Sequence, residues 1–313
     1  MKSSPIYHTP VMVEEVIRGL ITDENGIYVD ATVGGGGHSA ALLSTLGPAA
    51  TVLGIDRDAE SISQVSERLS SDVRFHIYRG SFSELNKFLT QYGCDKISGI
   101  LYDLGVSSRQ IDSSLRGFSY RLDGPLDMRM DNSLPTDAAK FVGSATLDEI
   151  TSVLRDYGEE RNAFSIAKAL INRRLSCPIE TTGHLRKVVE STRPKMLNKT
   201  LARVFQAIRI SINDELGQLS SGLDTALPRL DSGGRIATIA YHSLEDRIVK
   251  RKMADLIRNC NCPPQLPLCV CGGLAQFVKV GCGRFYPSKE EVARNSRARS
   301  AILRIYEKTG SKI

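Results

Sequence analysis

The feature that most constrains the fold of this 313-residue chain is the regular alternation of strand and helix patterns over its first 103 residues. Short apolar runs predict strands at 27–30, 51–56, 73–78 and 97–103. Helix-forming stretches lie between them at 38–46, 59–69 and 83–92. Strands separated by helices of this length form right-handed crossovers in a parallel sheet. We therefore predict an α/β fold that binds its ligand beyond the carboxyl ends of the strands.

The alternation is interrupted in the middle of the chain. Residues 107–131 are rich in Ser, Gly, Asp and Arg and predict a long functional loop. Further helices are predicted at 148–157, 161–175, 184–192, about 199–219 and 244–258, and further strands at 234–241 and 300–306. We predict a sheet domain in two parts, residues 1–112 and 199–313, with a small helical domain, residues 113–198, inserted between them.

Charge is divided unevenly along the chain. The net charge is only +6, but residues 1–154 carry −7, whereas residues 155–211 carry +7 and residues 235–304 carry +8. The contents of 41% hydrophobic and 24% charged residues are those of a globular protein and exclude disordered and fibrous classes. The two basic blocks fit either a surface that binds a polyanion, with nucleic acid the first candidate, or solvated helix faces.

No segment predicts export or a membrane span. The first residues lack an apolar stretch, and glycines at 34–37 and Gly47-Pro48 break the uncharged stretch 31–55. We therefore expect a cytoplasmic protein with no membrane partner, whose cysteines are reduced or metal-bound.

Four late cysteines could hold a structural zinc ion as thiolates. They are Cys260, Cys262, Cys269 and Cys271. Free thiols are the alternative, because a paired Cys-x-Cys spacing is less diagnostic of zinc than Cys-x-x-Cys. No catalytic metal is predicted.

Four consecutive glycines, Gly34 to Gly37, follow the first predicted strand and open the next helix. Glycines there let backbone N–H groups approach a ligand closely at a helix N-terminus. A dinucleotide would require a third glycine where this chain has Ser39, so that fingerprint is imperfect. Asp30, four positions before the first glycine, instead resembles the S-adenosylmethionine loop of class I methyltransferases, in which a carboxylate helps to position the methionine ammonium or the loop.

Two residues after the next strands are further cofactor candidates. Asp56 ends the second strand and could accept hydrogen bonds from both ribose hydroxyls of either cofactor. Capping of the following helix is the alternative, and Asp58 could supply that cap instead. Phe82 follows the third strand and could either flank an adenine or pack in the core.

Several longer motifs resemble one family. They are His8-Thr-Pro-Val-Met, Asp103-Leu-Gly-Val-Ser-Ser-Arg-Gln110, Arg116-Gly-Phe-Ser, Asp123-Gly-Pro-Leu-Asp-Met-Arg-Met-Asp131, Phe205-Gln-Ala-Ile-Arg-Ile, His242-Ser-Leu-Glu-Asp-Arg247 and Asn295-Ser-Arg-Ala-Arg-Ser. From residue 8 to about residue 306 the chain resembles the bacterial 16S rRNA cytosine-N4 methyltransferases of the RsmH/MraW family. One departure is Ser296, where the family often has Pro.

The resemblance implies a Rossmann-like class I methyltransferase domain with an inserted small helical domain. It also implies S-adenosyl-L-methionine as the methyl donor. The implied substrate is 16S rRNA in the small ribosomal subunit, methylated at N4 of a specific cytosine in the decoding centre.

The resemblance also implies site residues. Those that match cofactor contacts of the family are Gly36, Gly37, His38, Asp56, Phe82, Asp103 and Gln110. Asp103 is in addition the predicted catalytic residue, and would accept an N–H hydrogen bond from the cofactor ammonium, the target amine or both. Many amino methyltransferases place a stacking aromatic three residues after this acid, where this chain has Val106. Tyr120 or Tyr241 is therefore predicted to hold the base.

The remaining candidates concern the rim of the site and the nucleic acid. His242 could accept a proton, contact a phosphate or cap the next helix. Basic residues of the helical insert are predicted to contact phosphates: Arg161, Lys168, Arg173, Arg174, Arg186, Lys187, Arg193 and Lys195. Two other classes stay open, a nicotinamide-dependent dehydrogenase and a non-catalytic RNA-binding or ribosome-assembly factor with the same fold.

Overall fold

A computed structural model describes residues 10–258 and 275–310 of the chain. Its contacts separate two compact units: a sheet unit, formed by residues up to 105 and from 216 onward, and a helical unit, residues 106–215. The strands are β1 (Ile27–Asp30), β2 (Thr51–Asp56), β3 (Phe75–Arg79), β4 (Ile97–Asp103), β5 (Leu230–Ala240), β6 (Phe277–Lys279) and β7 (Ile302–Lys308). The helices are α1 (Val13–Leu20), α2 (Gly37–Thr45), α3 (Ala59–Leu69), α4 (Leu85–Tyr92), α5 (Ser108–Asp112), α6 (Ala138–Ser144), α7 (Leu147–Asp156), α8 (Ala163–Ser176), α9 (Thr182–Ser191), α10 (Leu197–Asn213), α11 (Glu215–Ala226), α12 (Ser243–Leu256) and α13 (Lys289–Arg294).

The strands of the described residues form one sheet with the order β3-β2-β1-β4-β5-β7-β6. Strands β1 to β5 run parallel, β7 runs antiparallel to β5, and β6 runs antiparallel to β7. The strand order reverses direction between β1 and β4, and sheets of this kind bind their ligands beyond the carboxyl ends of the strands at that point. Asp30 and Asp103 are the last residues of β1 and β4. The predicted α/β, Rossmann-like fold with an inserted helical part is thereby confirmed.

The sheet is buried on both faces, which explains why its strands are nearly continuous apolar runs. Val29 and Ile100 point into one core, which they share with residues of α4, α11 and α12. Tyr28 and Leu101, their chain neighbours, point into a second core with residues of α1 and α2. This alternation fixes the register of the strands. The register in turn fixes how far each terminal carboxylate extends along the strand direction at the edge of the sheet.

The helical unit has a hydrophobic core of its own. Ile150 of α7, Ile166 of α8 and Leu185 of α9 are completely buried in it. The buried face of α10, including Val204 and Phe205, belongs to the same core.

The unit therefore extends through α10 to residue 215, and it also includes residues 106–112. These limits differ from the predicted boundaries after residues 112 and 198. The reason lies in α10, whose apolar stripe completes the hydrophobic core of the helical unit.

Three other local predictions differ from the structure. The helix predicted at about 199–219 is two helices, because Asp214 adopts a left-handed conformation with φ of 48° between α10 and α11. The loop predicted at 107–131 contains α5 and a 3-10 turn at Ser114–Arg116. Strand β3 begins at Phe75, and Val73 is 88% exposed outside it.

No helix among residues 10–258 and 275–310 is long and apolar enough to cross a membrane. The four cysteines for which a zinc site was predicted, Cys260, Cys262, Cys269 and Cys271, lie outside the described residues.

Candidate active site

The glycine loop connects β1 to α2 and is fixed to the neighbouring strand. The backbone N–H of Gly34 donates to Asp56 Oδ2 at 2.7 Å, and that of Val33 donates to the carbonyl oxygen of Ile55 at 3.1 Å. Gly36 has a φ of 70°, a conformation that only glycine adopts without strain. The loop is therefore held in one shape by β2 and by its own backbone geometry.

The glycines of the loop differ in what surrounds them. A methyl group on Gly36 would come within 2.6 Å of Arg68 Nη2, and one on Gly37 within 2.6 Å of Pro10 Cγ. A methyl group on Gly35 would meet no heavy atom within 4 Å among the described residues. Gly36 and Gly37 are thus required for packing. Gly35 borders open space just before α2, where a ligand can closely approach the protein backbone.

Asp30 is completely buried behind this loop. The Ser39 hydroxyl donates to Asp30 Oδ2 at 2.6 Å, and the Thr32 N–H lies 3.3 Å from Oδ1. Burial raises the pKa of Asp30, because a charged carboxylate is costly away from water. The presence of Ser39 in place of the third glycine of the dinucleotide fingerprint therefore has a structural explanation, because its hydroxyl holds the carboxylate of Asp30.

Asp56 ends β2 and accepts two backbone hydrogen bonds, from Gly34 and, at 2.8 Å, from Asp58. Asp58 itself accepts from the Glu60 N–H at the start of α3, so the helix cap does not require Asp56. Burial raises the pKa of Asp56 to about 6 despite these hydrogen bonds. The structure places this carboxylate at the rim of the glycine loop, where the sequence predicts a ribose contact.

Asp103 ends β4, at the same edge of the sheet as Asp30. Its backbone N–H donates to the Thr32 hydroxyl at 2.7 Å, its Oδ1 accepts from the Tyr241 hydroxyl at 2.8 Å, and its Oδ2 lies 3.5 Å from His38 Nδ1. Burial raises the pKa of Asp103 to about 6, against the lowering effects of His38 and Tyr241. Since 23% of its side chain is exposed, this carboxylate is both fixed and open to a ligand.

The structure thus brings together several predicted residues, namely Asp30, Gly36, Gly37, His38, Asp56, Asp103 and Tyr241. Sequence reasoning did not identify the contact of His38 with Asp103 or the role of the Thr32 hydroxyl. Both depend on how β1 and β4 pair, with Asp30 opposite Leu101, and no local motif carries that information.

Two further predicted residues, Phe82 and Gln110, have structural partners of their own. Phe82 is 8% exposed, packs edge-to-face on Tyr102 with ring centroids 5.2 Å apart, and lies against Gly222 of α11. The Gln110 side chain accepts from the Ser107 N–H at 2.9 Å and so caps α5 in the helical unit. Core packing and capping account for their burial, and their cofactor contacts stay predictions.

The two other rim candidates also have local roles. The His242 Nδ1 accepts from the Glu245 N–H at 3.4 Å and caps α12, which was the structural alternative for this residue. Tyr120 lies in the helical unit and packs on Phe205 with ring centroids 5.8 Å apart.

The fold and the site together define a protein that binds a cofactor of the nucleotide type. The sheet is Rossmann-like, a glycine loop precedes α2, and carboxylates end β1, β2 and β4. Asp30 is fully buried, whereas Asp56 and Asp103 are partly buried. The antiparallel β7 and β6 replace the additional parallel strand of the dinucleotide-binding sheet.

Comparison with known proteins gives the family. The model of the MraW methylase family matches residues 5–309, and the chain belongs to that family. The ribosomal RNA small subunit methyltransferase H of Trichlorobacter lovleyi is 43% identical over 97% of this chain and 99% of its own length. Proteins of the same name from Burkholderia vietnamiensis and Heliobacterium modesticaldum are 44% and 42% identical, over 97% and 96% of this chain and 98% of their own. The chain is also similar to the solved structure of an rRNA methylase from Streptococcus thermophilus, with 13% identity, a TM-score of 0.43, and 98% of this chain and 100% of the other covered.

Proposed function

We propose that the protein transfers a methyl group from S-adenosyl-L-methionine to small-subunit ribosomal RNA, at N4 of a specific cytosine in the decoding centre of 16S rRNA. The observation that carries the proposal is the position of Asp103, a partly open carboxylate fixed at the end of β4 beside the glycine loop. The names of the relatives support the RNA substrate. Work on ribosomal subunits would place the protein in the cytoplasm.

The residues present fit this cofactor. The buried carboxylate of Asp30 and the partly exposed carboxylate of Asp103 favour a ligand with positive charge, and S-adenosylmethionine has an ammonium and a sulfonium group. The open space at Gly35 admits a ligand against the backbone. The residues that would hold it are Gly36, Gly37, His38, Asp56, Phe82, Asp103 and Gln110. When bound, the cofactor supplies an electrophilic methyl group on sulfur.

Asp103 would prepare the acceptor. The lone pair of an exocyclic amine is delocalised into the cytosine ring, so the amine is a poor nucleophile. A carboxylate that accepts one of its N–H bonds localises that lone pair and orients the nitrogen, and such positioning can be worth about 7–11 kcal/mol. The Tyr241 hydroxyl keeps the carboxylate in one orientation.

The helical unit would bind the RNA. The exposed basic side chains of the predicted set are Arg161, Lys168, Arg173, Lys187, Arg193 and Lys195, together with Arg186, which pairs with Glu190 at 2.7 Å. Arg174 differs, because its Nη1 donates to the carbonyl oxygens of Val142 and Ala145. We therefore assign Arg174 to the structure of the unit and the others to phosphate contacts.

Methylation of purified small ribosomal subunits that lack the modification tests the proposal. We expect incorporation of one labelled methyl group, found as N4-methylated cytidine after nuclease digestion and mass spectrometry, and loss of incorporation in Asp103→Asn. Calorimetry with S-adenosylmethionine and with NAD separates the proposal from a dehydrogenase. Binding to subunits without methyl transfer would instead indicate an assembly factor.

The zinc site also stays a proposal. Metal analysis of the protein purified without chelator tests it, since four thiolates would retain one zinc ion per chain.

A further inference from the structure

A buried histidine of the sheet unit lies beside the partly exposed carboxylate of Asp103. His38 is 4% exposed, and its Nδ1 faces Asp103 Oδ2 at 3.5 Å. Its other ring nitrogen, Nε2, lies 3.0 Å from the carbonyl oxygen of Val11. A carbonyl oxygen can only accept a hydrogen bond, so Nε2 carries a hydrogen.

This contact restricts the state of Nδ1. In a neutral ring with its hydrogen on Nε2, Nδ1 offers only a lone pair. That lone pair repels an ionised carboxylate, so the pair needs one proton, on Nδ1 or on Asp103. The groups that act most strongly on Asp103 are His38 of α2, Asp30 of β1, Tyr241 after β5 and Glu245 of α12. Of these four, only the imidazole can carry positive charge, and buried carboxylates are stable only when they are compensated.

We propose that His38 holds a proton on Nδ1 as an imidazolium, keeps Asp103 ionised, and so acts as a positioning residue for methyl transfer. The inference rests on the proposed function, because it assigns Asp103 to the acceptor amine. The imidazolium compensates Oδ2, and the Tyr241 hydroxyl donates to Oδ1. Each carboxylate oxygen has a second lone pair with which to accept a hydrogen bond from the amine.

The proton balance of the reaction gives this arrangement its role. When the amine nitrogen bonds to the methyl carbon, the carbon–sulfur bond breaks and its electron pair stays on sulfur. The nitrogen then carries one proton too many, and an ionised Asp103 accepts that proton. A carboxyl group that is already protonated cannot do so. His38 therefore sets the fraction of the protein in which Asp103 is ready to accept.

Nitrogen NMR of the imidazole rings tests the proton position without any turnover. In the full-length ¹⁵N-labelled protein at about pH 7 we expect both ring nitrogens of His38 to be protonated, with Nε2 toward the Val11 carbonyl and Nδ1 toward Asp103. The signal is assigned by its loss in His38→Gln, or through bonds from its own Cβ if that variant does not fold. An Nδ1 with the chemical shift of an unprotonated nitrogen would overturn the proposal, whatever the activity.

The pH dependence of kcat separates positioning from a structural role. His38→Gln can still donate to the Val11 carbonyl but lacks the positive charge, so we expect the acid limb of its profile to move up by about one pH unit. Tyr241→Phe removes a neutral donor from the same carboxylate and should move the limb in the same direction by less. An unmoved limb in His38→Gln contradicts the proposal. A wild-type protein that transfers no methyl group at any pH would defeat the proposed function instead, and the NMR result would stand.

Discussion

At the scale of single residues, the candidate site is defined by acids that the fold buries without a lysine or arginine as their principal partner. The strongest stabilising influences on Asp103 are those of His38 and Tyr241, and Asp56 is stabilised mainly by backbone N–H groups. Such carboxylates are costly to ionise, and a protein retains them where they serve binding or chemistry. Stability and function therefore oppose each other at these positions.

Replacement of Asp103 should show this opposition. Burial raises the pKa of Asp103 from 3.8 to about 6, so the folded protein binds this proton more tightly than the unfolded chain. Stability is then lost as the pH rises from about 4 through about 6. We expect Asp103→Asn, which cannot ionise, to raise the free energy of unfolding at about pH 7.5 by on the order of 1–3 kcal/mol, and to give no gain below about pH 4. Thermal or urea unfolding across this pH range measures it, and a gain that is equal at both ends would contradict the assignment.

The glycine loop offers a matched pair of substitutions. Gly36→Ala places a side chain at a positive φ and against Arg68, so we expect a loss of stability of about 1–2 kcal/mol or more. Gly35→Ala points its methyl group into open space and should leave the melting temperature nearly unchanged, while it lowers the affinity for S-adenosylmethionine. Calorimetric titration and thermal unfolding of both variants decide this. Equal cofactor affinity in wild type and Gly35→Ala would mean that the cofactor does not approach this backbone.

The sequence was sufficient to predict many of these residues but not their relations. Asp30, Asp56 and Asp103 each follow a recognisable strand, and parallel strands end at one edge, so their proximity was predictable. The contact between His38 and Asp103 depends on the one-residue register of β1 against β4, and the burial of Phe82 depends on Gly222 in a helix 140 positions later. Such pairings over long sequence distances leave no local pattern.

At the scale of elements, α8 is the most distinctive part of the helical unit. Residues 161–179 contain no acidic residue. Phe164 of α8 is 56% exposed, and Lys168 is exposed four positions later on the same helix face. Arg161 is exposed just before this helix begins. An exposed aromatic ring between two cations suits the stacking of an unpaired base.

Two substitutions on α8 should therefore weaken RNA binding in different ways. Phe164→Ala should lower affinity by about fivefold to a hundredfold and leave the salt dependence unchanged, because stacking is uncharged. Lys168→Glu should lower affinity and also flatten the plot of log affinity against log salt, because a phosphate contact is lost. Fluorescence anisotropy with an rRNA fragment measures both. Lys87→Glu in the sheet unit is the matched charge reversal, and an equal loss of affinity there would argue against a specific surface.

The break between α10 and α11 shows why element boundaries were harder to predict than the elements. Both helices are amphipathic, and their apolar residues continue one periodic pattern through Asp214. Asp214 adopts a left-handed conformation at the end of α10, and its backbone N–H donates to the carbonyl oxygen of Ile210. One residue thus divides the predicted helix into two helices that belong to different units. The sequence did not predict this break, because apolar periodicity shows which face of a helix is buried but not in which hydrophobic core.

At the scale of the whole molecule, the small net charge is the sum of an acidic part and a basic part of the chain. The first 154 residues, which contain the first part of the sheet unit and the carboxylates of the candidate site, carry −7, and the block at 155–211 carries +7. A zwitterionic cofactor bound among buried groups is weakly screened by salt, whereas a polyanion on exposed cations is strongly screened. The two ligands should therefore respond differently to ionic strength.

We expect an increase in salt from about 50 to 200 mM to lower RNA affinity by at least tenfold and to change the affinity for S-adenosylmethionine by less than about twofold. Calorimetry for the cofactor and anisotropy for the RNA measure the two on one preparation. Parallel losses of both affinities would indicate that salt screens the charges of the cofactor site as strongly as those of the RNA-binding surface.

The insertion of the helical unit between β4 and β5 has a consequence for how the chain is made. These strands pair directly, Ile100 with Ile236 and Leu101 with Ala237, yet on the order of 130 residues separate them along the chain. At a synthesis rate of about 5–20 residues per second, the nascent β4 waits roughly ten seconds for its partner, with its edge unpaired. The helical unit, all of whose residues are synthesised before β5, can fold in that interval. A slower ribosome, or a slower-folding insertion, would lengthen the time for which the incomplete sheet can aggregate.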